Sequence, residues 1–471
     1  MQVQIQTSSQ FSNWGKTIVS HPRVVVKPDS VDDLITLLKD TETFPAPIRA
    51  IGSNHSTTEC AVANGGTIVD MTAFNKILDI STENHTVTVQ AGALYIDVAH
   101  ALCEKGLQFF VNVELGNLSL GSASSGGTKD ASMPGEFGQV CSYATVLKMV
   151  TPQGKCIEIN ESEPELLRIA RSSYGLFGII YEVTFKVRPA QSLALRHKTY
   201  TLGEFIQTLP ALTNRPDTEQ ESMMFYLFPF LNEIAVEFRK YIDNTPTKPT
   251  GTWQWKLRNW TWKNLAPGVG YILTRFIPFK TIRYKLVDFF NQKVQLVLER
   301  ILKSPSGTSA TDQIIRYPHQ STWTKYTFSI WAFPEEKYSE ILPAYFQFCR
   351  NYYQQHGYRC NMLNVAYRIL KDDNSLFSYS SAGNVMTLDP VSTGDPGWED
   401  FITAYNEFCS NLGGVPLFNQ TRGITPSQAR AAFGSRLDKF ETYRQQYDPD
   451  NRLLNQYFRE RLSPSAPHQV D

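Results

Sequence analysis

Two stretches decide the reading of this chain: RAIGSNHS over Arg49–Ser56 and GNLSLGSASSGGTKD over Gly116–Asp130. The first puts a glycine, a tight polar turn and a histidine directly after the strand-like APIRAIG. Gly52 permits backbone angles closed to most residues, and Ser53 and Asn54, with the free amides of such a turn, can form a nest for an anion such as a pyrophosphate, with Ser56 a further cofactor-binding candidate on the same turn. Alone, a glycine turn is most often just a turn, and a single His55 is most often a hydrogen-bonded core or surface residue. The second stretch alters that balance. Its small residues, Ser119, Gly121, Ser122, Ser125, Gly126 and Gly127, let a backbone approach a large flat ligand closely. Two such loops on one domain are hard to explain as packing. A third loop, SSYGLFGIIYEV (Ser172–Val183), sets Gly175 and Gly178 just before a strand, and taken alone it reads as an ordinary loop.

Outward from these loops, short extended runs alternate with helical ones. RVVVKP is extended, and SVDDLITLLKD opens with Ser30 as N-cap and two acids in its first turn. TIVDM and TVTVQAG read as strands, and LYIDVAHALCEKGL as an amphipathic helix stopped by Gly106. TVLKMVTPQGKCIEI predicts a hairpin about Pro152–Gly154, and FGIIYEVTFKVRP alternates like a half-buried strand. Residues 1–190 therefore read as an α+β domain. After Pro189 come aromatic-rich strands, MMFYLFPF and NEIAVEFRKY, which open a second unit over 191–438.

That unit contains an insertion, 244–300, with an unusual charge pattern: between Asp243 and Asp288 there is no acid, while Lys256, Arg258, Arg275, Lys280 and Lys285 interleave with Trp253, Trp255, Trp260 and Trp262. It reads in two ways. Either it is a lid whose aromatics are core, or 253–285 is an amphipathic surface lying among lipid headgroups.

The composition narrows the function classes. Lys plus Arg equals Asp plus Glu at 45 each, so no global field draws the 471-residue chain to nucleic acid. The seven cysteines are scattered without a CxxC pair, which gives no metal site and suits reduced thiols in the cytoplasm. MQVQIQTSSQFSNWGK lacks the features of a signal peptide, and no run reaches the ~18 apolar residues of a membrane span. Peripheral membrane contact stays open, and the oligomeric state is not legible.

Taken together, NWGK at Asn13, RAIGSNHS, LSLGSASSGGT, TVLKMVTPQGK, GLFGIIYEVTFKV and the closing DPDNRLLNQYF resemble the vanillyl-alcohol-oxidase (PCMH-type) FAD-linked oxidoreductases. The nearest branch is the aldonolactone and alditol oxidases, which include gulonolactone and arabinonolactone oxidases. The resemblance covers residues 10–190 and 435–462. It implies a two-part PCMH-type FAD-binding domain, a substrate cap with an antiparallel sheet, and a return of 439–471 to the FAD domain. It also implies that His55 bonds covalently to the 8α carbon of the flavin, with Arg49, Ile51, Gly52 and the small-residue loop lining the cofactor and Gly178, Ile179 and Ile180 along the dinucleotide. Ser124 and Ser125 stand where some relatives carry a second, cysteine tether.

The departures bear on the substrate. The branch carries an acid followed two residues on by arginine; the best match, VAYRIL, has Ala366 for the acid and keeps Arg368. Its His-Trp-x-Lys turn becomes GGVPLFNQT, with Leu417, Phe418 and Gln420 at those places. Apolar or neutral groups thus replace the polyol-binding ones, and Phe418 and Gln420 become the candidate substrate contacts. Alcohol oxidation still needs a base within reach, for which His319, Tyr367 and Tyr379 are candidates. Tyr367 and Arg368 face opposite sides of a regular strand, and Arg368 is the one expected in the pocket. The leading expectation is an FAD-dependent oxidase or dehydrogenase acting on a small, relatively apolar alcohol, with oxygen use open. The alternatives are a membrane-surface flavin enzyme acting on a lipid or isoprenoid, and a flavin-binding protein that has lost catalysis.

Overall fold

The Ser30 hydroxyl accepts the Asp33 amide at 3.2 Å and opens a helix over Val31–Lys39, with Leu34, Leu37 and Leu38 turned inward. The computed structural model in which this is seen describes residues 4–7, 10–215, 220–242, 252–303, 308–313 and 326–463. Around this helix, Val24–Lys27, Thr67–Asp70 and Ile48–Ile51 pair in parallel, and Gln4–Thr7 adds an antiparallel edge. The hairpin at Pro152–Gly154 joins Ala144–Val150 to Cys156–Asn160. These strands belong to a second, antiparallel sheet that continues through Ile179–Lys186, Thr86–Gln90 and Ile77–Ser81. The N-terminal α+β unit is thus two small sheets, with the glycine loops running between them.

The second unit is built on an eight-stranded antiparallel sheet, ordered Thr308–Ala310, Ser192–Thr201, Glu233–Ile242, Ser222–Phe228, Asn364–Ile369, Val385–Leu388, Trp331–Pro334 and Val415–Pro416. Ser222–Phe228 is buried at every position because both faces of the sheet are covered. Met223, Phe225 and Leu227 share a core with Phe205, Leu209 and Tyr345, whereas Met224, Tyr226 and Phe228 pack with Trp255, Trp262 and Leu298. Period-two alternation sends successive side chains to opposite faces, so a continuous apolar run is what two covered faces require.

The second of those layers is the insertion, folded as helices Trp253–Trp260, Ala266–Phe276 and Lys280–Ile301 with a π-turn at Thr261–Leu265. Its missing acids are supplied by the sheet beneath. The fully buried Glu237 carboxylate accepts from Arg258 Nε at 2.8 Å and Nη2 at 2.7 Å, from Arg239 Nε at 2.8 Å and from the Tyr226 hydroxyl at 3.2 Å. Burial would raise this carboxyl, but Arg258 and Arg239 hold it well below the usual carboxylate range. The tryptophans divide: Trp255 and Trp262 are core, and Trp253 and Trp260 are exposed. No helix among the described residues is long and apolar enough to cross a membrane.

The chain ends against its own beginning. Asp448 accepts the amides of Arg452 and Leu453, each at 2.8 Å, and the resulting turn lets the Ile48 amide donate to Arg452 O at 2.7 Å. Asn455 Nδ2 donates to Glu59 O at 3.0 Å and Val62 O at 2.9 Å.

Candidate active site

The strand Ile48–Ile51 delivers the first loop into an open cleft of about 1070 Å³. Ile51, Gly52, Ser53, Asn54, His55 and Ser56 all line it. The loop is held from behind by the N-terminal turn: the Trp14 amide donates to Asn54 O at 2.8 Å, Asn13 Nδ2 to Ser56 O at 2.9 Å, and Asn54 Nδ2 to Ser12 O at 3.2 Å. Asn54 adopts φ 53, which an asparagine tolerates better than most residues. The His55 ring lies 4.9 Å from that of Trp14. Burial pushes its imidazole down to about 4, against a contact with Asn117 that raises it, and Nε2 is buried with no hydrogen-bond partner among the described residues.

From the second loop, Ser119, Gly121, Ser122, Ser125 and Gly126 face the cleft. The glycines serve packing as much as ligand approach. A β-carbon on Gly52 would stand 2.0 Å from Ser119 Oγ, and one on Gly121 would stand 2.6 Å from Ala91 Cβ. The loops lock onto each other further: the Tyr174 amide donates to Ser125 O at 2.9 Å, and Arg49 donates to Tyr174 O at 2.5 Å and Leu453 O at 2.9 Å. Burial pushes the Arg49 guanidinium down to about 10, opposed by Cys60 and Asp448. Two expected residues do not line the cleft: Gly127, whose carbonyl accepts from Asn419 Nδ2 at 2.8 Å, and Ile179, which points into the core because Gly178 and Ile180 share the cleft-facing side of that segment.

A second cavity, about 930 Å³, adjoins the first and shares Leu115, Leu118, Thr128, Phe328 and Gln420 with it. Its walls are mostly apolar, among them Met224, Trp262, Ile330, Met362, Leu363 and Val391. One wall is charged. Lys129 Nζ donates to Asp389 Oδ2 at 2.9 Å, both side chains being 3% exposed, and sits 3.6 Å from the centre of the Tyr367 ring. Burial raises the Asp389 carboxyl while Lys129 lowers it; burial lowers the Lys129 ammonium while Asp389 raises it.

Several expected contacts with the substrate change place. Met224 pairs with Tyr367, Phe225 with Ala366 and Tyr226 with Val365, so Val365 and Tyr367 face the cavity. Ala366 and Arg368 face the other way. Arg368, expected in the pocket, instead donates to Glu335 Oε2 at 2.5 Å and Oε1 at 3.1 Å and lines neither cavity. Phe418 is also corrected: it lies in an aromatic core with Phe433, Phe377 and Phe458. Tyr379 is buried among Ile330, Ile369 and Leu417, away from both cavities. His319 lies outside the described residues. Gln420 lines both cavities at their junction, with a buried and unpartnered Oε1. Lys129, Asp389 and Asn419 went unread in the sequence. The signal for Lys129 is a cation ending a run of small residues in a loop expected to approach a ligand closely.

The residues lining the first cleft suit FAD: a neutral histidine with an orphaned ring nitrogen, a polar serine-rich wall and backbones brought close by glycine. Fold and cleft together define an FAD-dependent oxidoreductase. Residues 22–160 match a family described as FAD binding domain, and residues 183–461 match one described as D-arabinono-1,4-lactone oxidase. The chain belongs to the D-arabinono-1,4-lactone oxidase family. It is 23% identical to L-gulonolactone oxidase of Mus musculus over 95% of this chain and 97% of that one. To L-gulono-1,4-lactone dehydrogenase of Mycobacterium tuberculosis it is 22% identical, over 96% and 99%. The cholesterol oxidase of Brevibacterium sterolicum shares the fold, with a TM-score of 0.75 over 98% of each chain at 14% identity.

Proposed function

We propose that this protein oxidises the CH–OH group of a small, largely apolar ring alcohol or sparsely hydroxylated lactone, with FAD bonded to His55. The observation that carries the reading is the apolar second cavity, joined to the cofactor cleft through Gln420 and charged only along its Glu114, Lys129, Asp130 and Asp389 side. A polyhydroxylated ring would press hydroxyls against Met224, Trp262 and Leu363, at about 1–3 kcal/mol for each group left unpaired. The mouse and mycobacterial relatives are named for a sugar lactone. A lactone ring with fewer free hydroxyls is compatible with these walls.

When bound, the flavin supplies the hydride acceptor; the chain supplies position and proton transfer. Asp389 has Oδ2 held by Lys129, Oδ1 buried and Thr387 beside the carboxyl, which makes it the group suited to accept the donor's hydroxyl proton. Gln420 orients that hydroxyl at the junction. An imidazole kept neutral by burial has the free lone pair that attachment to the flavin's 8α methyl carbon, in place of one of its hydrogens, would use.

The test begins with purified protein, its absorbance before and after acid precipitation, and its intact mass. The yellow chromophore should stay with the pellet and the mass should exceed the polypeptide by one FAD; His55→Ala should release it. Anaerobic bleaching is then compared across ring alcohols and lactones graded in hydroxyl number, with peroxide or dye reduction reporting the acceptor. A mass equal to the bare chain ends the tether, and a rate that climbs with hydroxyl number ends the apolar-donor reading. No bleaching by any donor would point to a flavin-binding protein without catalysis.

A further inference from the structure

We infer that the outer face of the insertion, over 253–297, is a docking surface for an anionic lipid bilayer. Among the described residues, twelve of the seventeen large apolar side chains left exposed fall in this one stretch. The helix Lys280–Ile301 carries apolar side chains on both faces. Tyr284, Val287 and Leu298 are buried together with Arg283, Asn291 and Gln295, where Gln295 Nε2 meets His197 Nδ1 at 2.8 Å, while Ile282, Leu286, Phe289, Leu296 and Val297 face out. A helix resting on a protein core in water normally keeps its outer face polar, and an exposed apolar face of this extent marks a contact.

Charge selects the occupant. Arg275, Lys280, Lys285 and Lys293 are exposed, and the two acids of 252–303 are both engaged: Asp288 Oδ2 accepts Arg359 Nη1 at 3.0 Å, and Glu299 accepts the Thr199 hydroxyl at 2.6 Å. The sequence RFIPFK at 275–280 makes a corner in which Phe276 and Phe279, 70% and 69% exposed, stand between two cations. Aromatics that reach the acyl boundary, flanked by cations that meet headgroups, are what binding in the interface plane needs. A second copy joined by a twofold axis would set these cations against themselves, since such an interface pairs one patch with itself. The inner side of the same layer contributes Trp262 and Ala266 to the second cavity, so docking places the cavity roof against lipid. The inference does not depend on which donor the cavity holds.

The test uses the full chain with its flavin, co-sedimented with phosphatidylcholine vesicles with and without phosphatidylglycerol, at low and high salt. Binding should require phosphatidylglycerol, weaken with salt, and fall about fivefold for each of Lys280→Gln and Lys285→Gln. Phe276→Ser with Phe279→Ser should remove what remains, while flavin absorbance, melting temperature and reduction by a soluble donor stay at the parent values. No binding to phosphatidylglycerol vesicles at low salt overturns the inference, as does binding indifferent to all four substitutions. A dimer in sedimentation equilibrium that Phe276→Ser dissociates would assign the face to a second copy instead.

Discussion

Lys129 and Asp389 stand 260 positions apart in the chain and 2.9 Å apart in space. Burial drives both toward neutrality, and each restrains the other. Asp389→Asn should therefore keep its flavin and lose about 10²- to 10⁴-fold in kcat, the usual worth of a positioned base. The base acts deprotonated, so kcat/KM should fall as pH drops through its pKa. Because burial raises that pKa, the fall should begin above the usual carboxylate range. An Asn variant with the parent's rate and pH profile would remove Asp389 from proton transfer. The strand alternation that turns Arg368 away from the cavity brings Tyr367 beneath the Lys129 ammonium, and the cavity keeps an acid and a cation that come from segments distant in the chain.

At the scale of elements, the loops and the helical insertion each include a close contact that a substitution can break. Gly52→Ala puts a β-carbon against Ser119, an overpacking expected to cost about 1–3 kcal/mol. Adding Ser119→Gly should restore much of that in urea unfolding; if it restores nothing, the two loops do not meet as described. Arg258 fastens the insertion to Glu237 and, through Nη2 at 3.1 Å, to Glu114. Breaking such a buried pair typically costs about 3–5 kcal/mol. Arg258→Met should accordingly make 253–301 the first site of limited proteolysis while the N-terminal unit stays resistant. Unchanged cleavage would show that aromatic packing alone holds the layer.

Across the whole molecule, the cofactor cleft depends on the two ends of the chain meeting. Asn455 caps the helix Gln456–Leu462 through the Phe458 amide and also satisfies carbonyls at Glu59 and Val62. Asn455→Ala removes the helix cap and the amide that meets these part-buried carbonyls, leaving Glu59 O only the Val62 amide; it should cost about 1–3 kcal/mol, lowering the melting temperature and the fraction of chain that incorporates flavin together. A drop in stability with flavin incorporation untouched would separate the C-terminal return from the cleft.

Local pattern was enough for the helix after Ser30, the hairpin at Pro152–Gly154, the strand at Ile179–Lys186 and the cofactor loops at Gly52 and Gly121, because caps, turns and alternation are written within a few neighbouring residues. The motifs also carried the family. Which of Tyr367 and Arg368 meets the cavity depended on the register of Asn364–Ile369 against Ser222–Phe228, a matter of pairing across more than a hundred residues. Phe418 and Tyr379 became core, and Asp389 entered the cavity, for the same reason: a side chain's surroundings come from chain segments distant in sequence. The acid-free insertion showed its charge in the sequence, but only the packed fold sorted it, drawing Arg258 and Arg283 inward and leaving Lys280 and Lys285 to the outside.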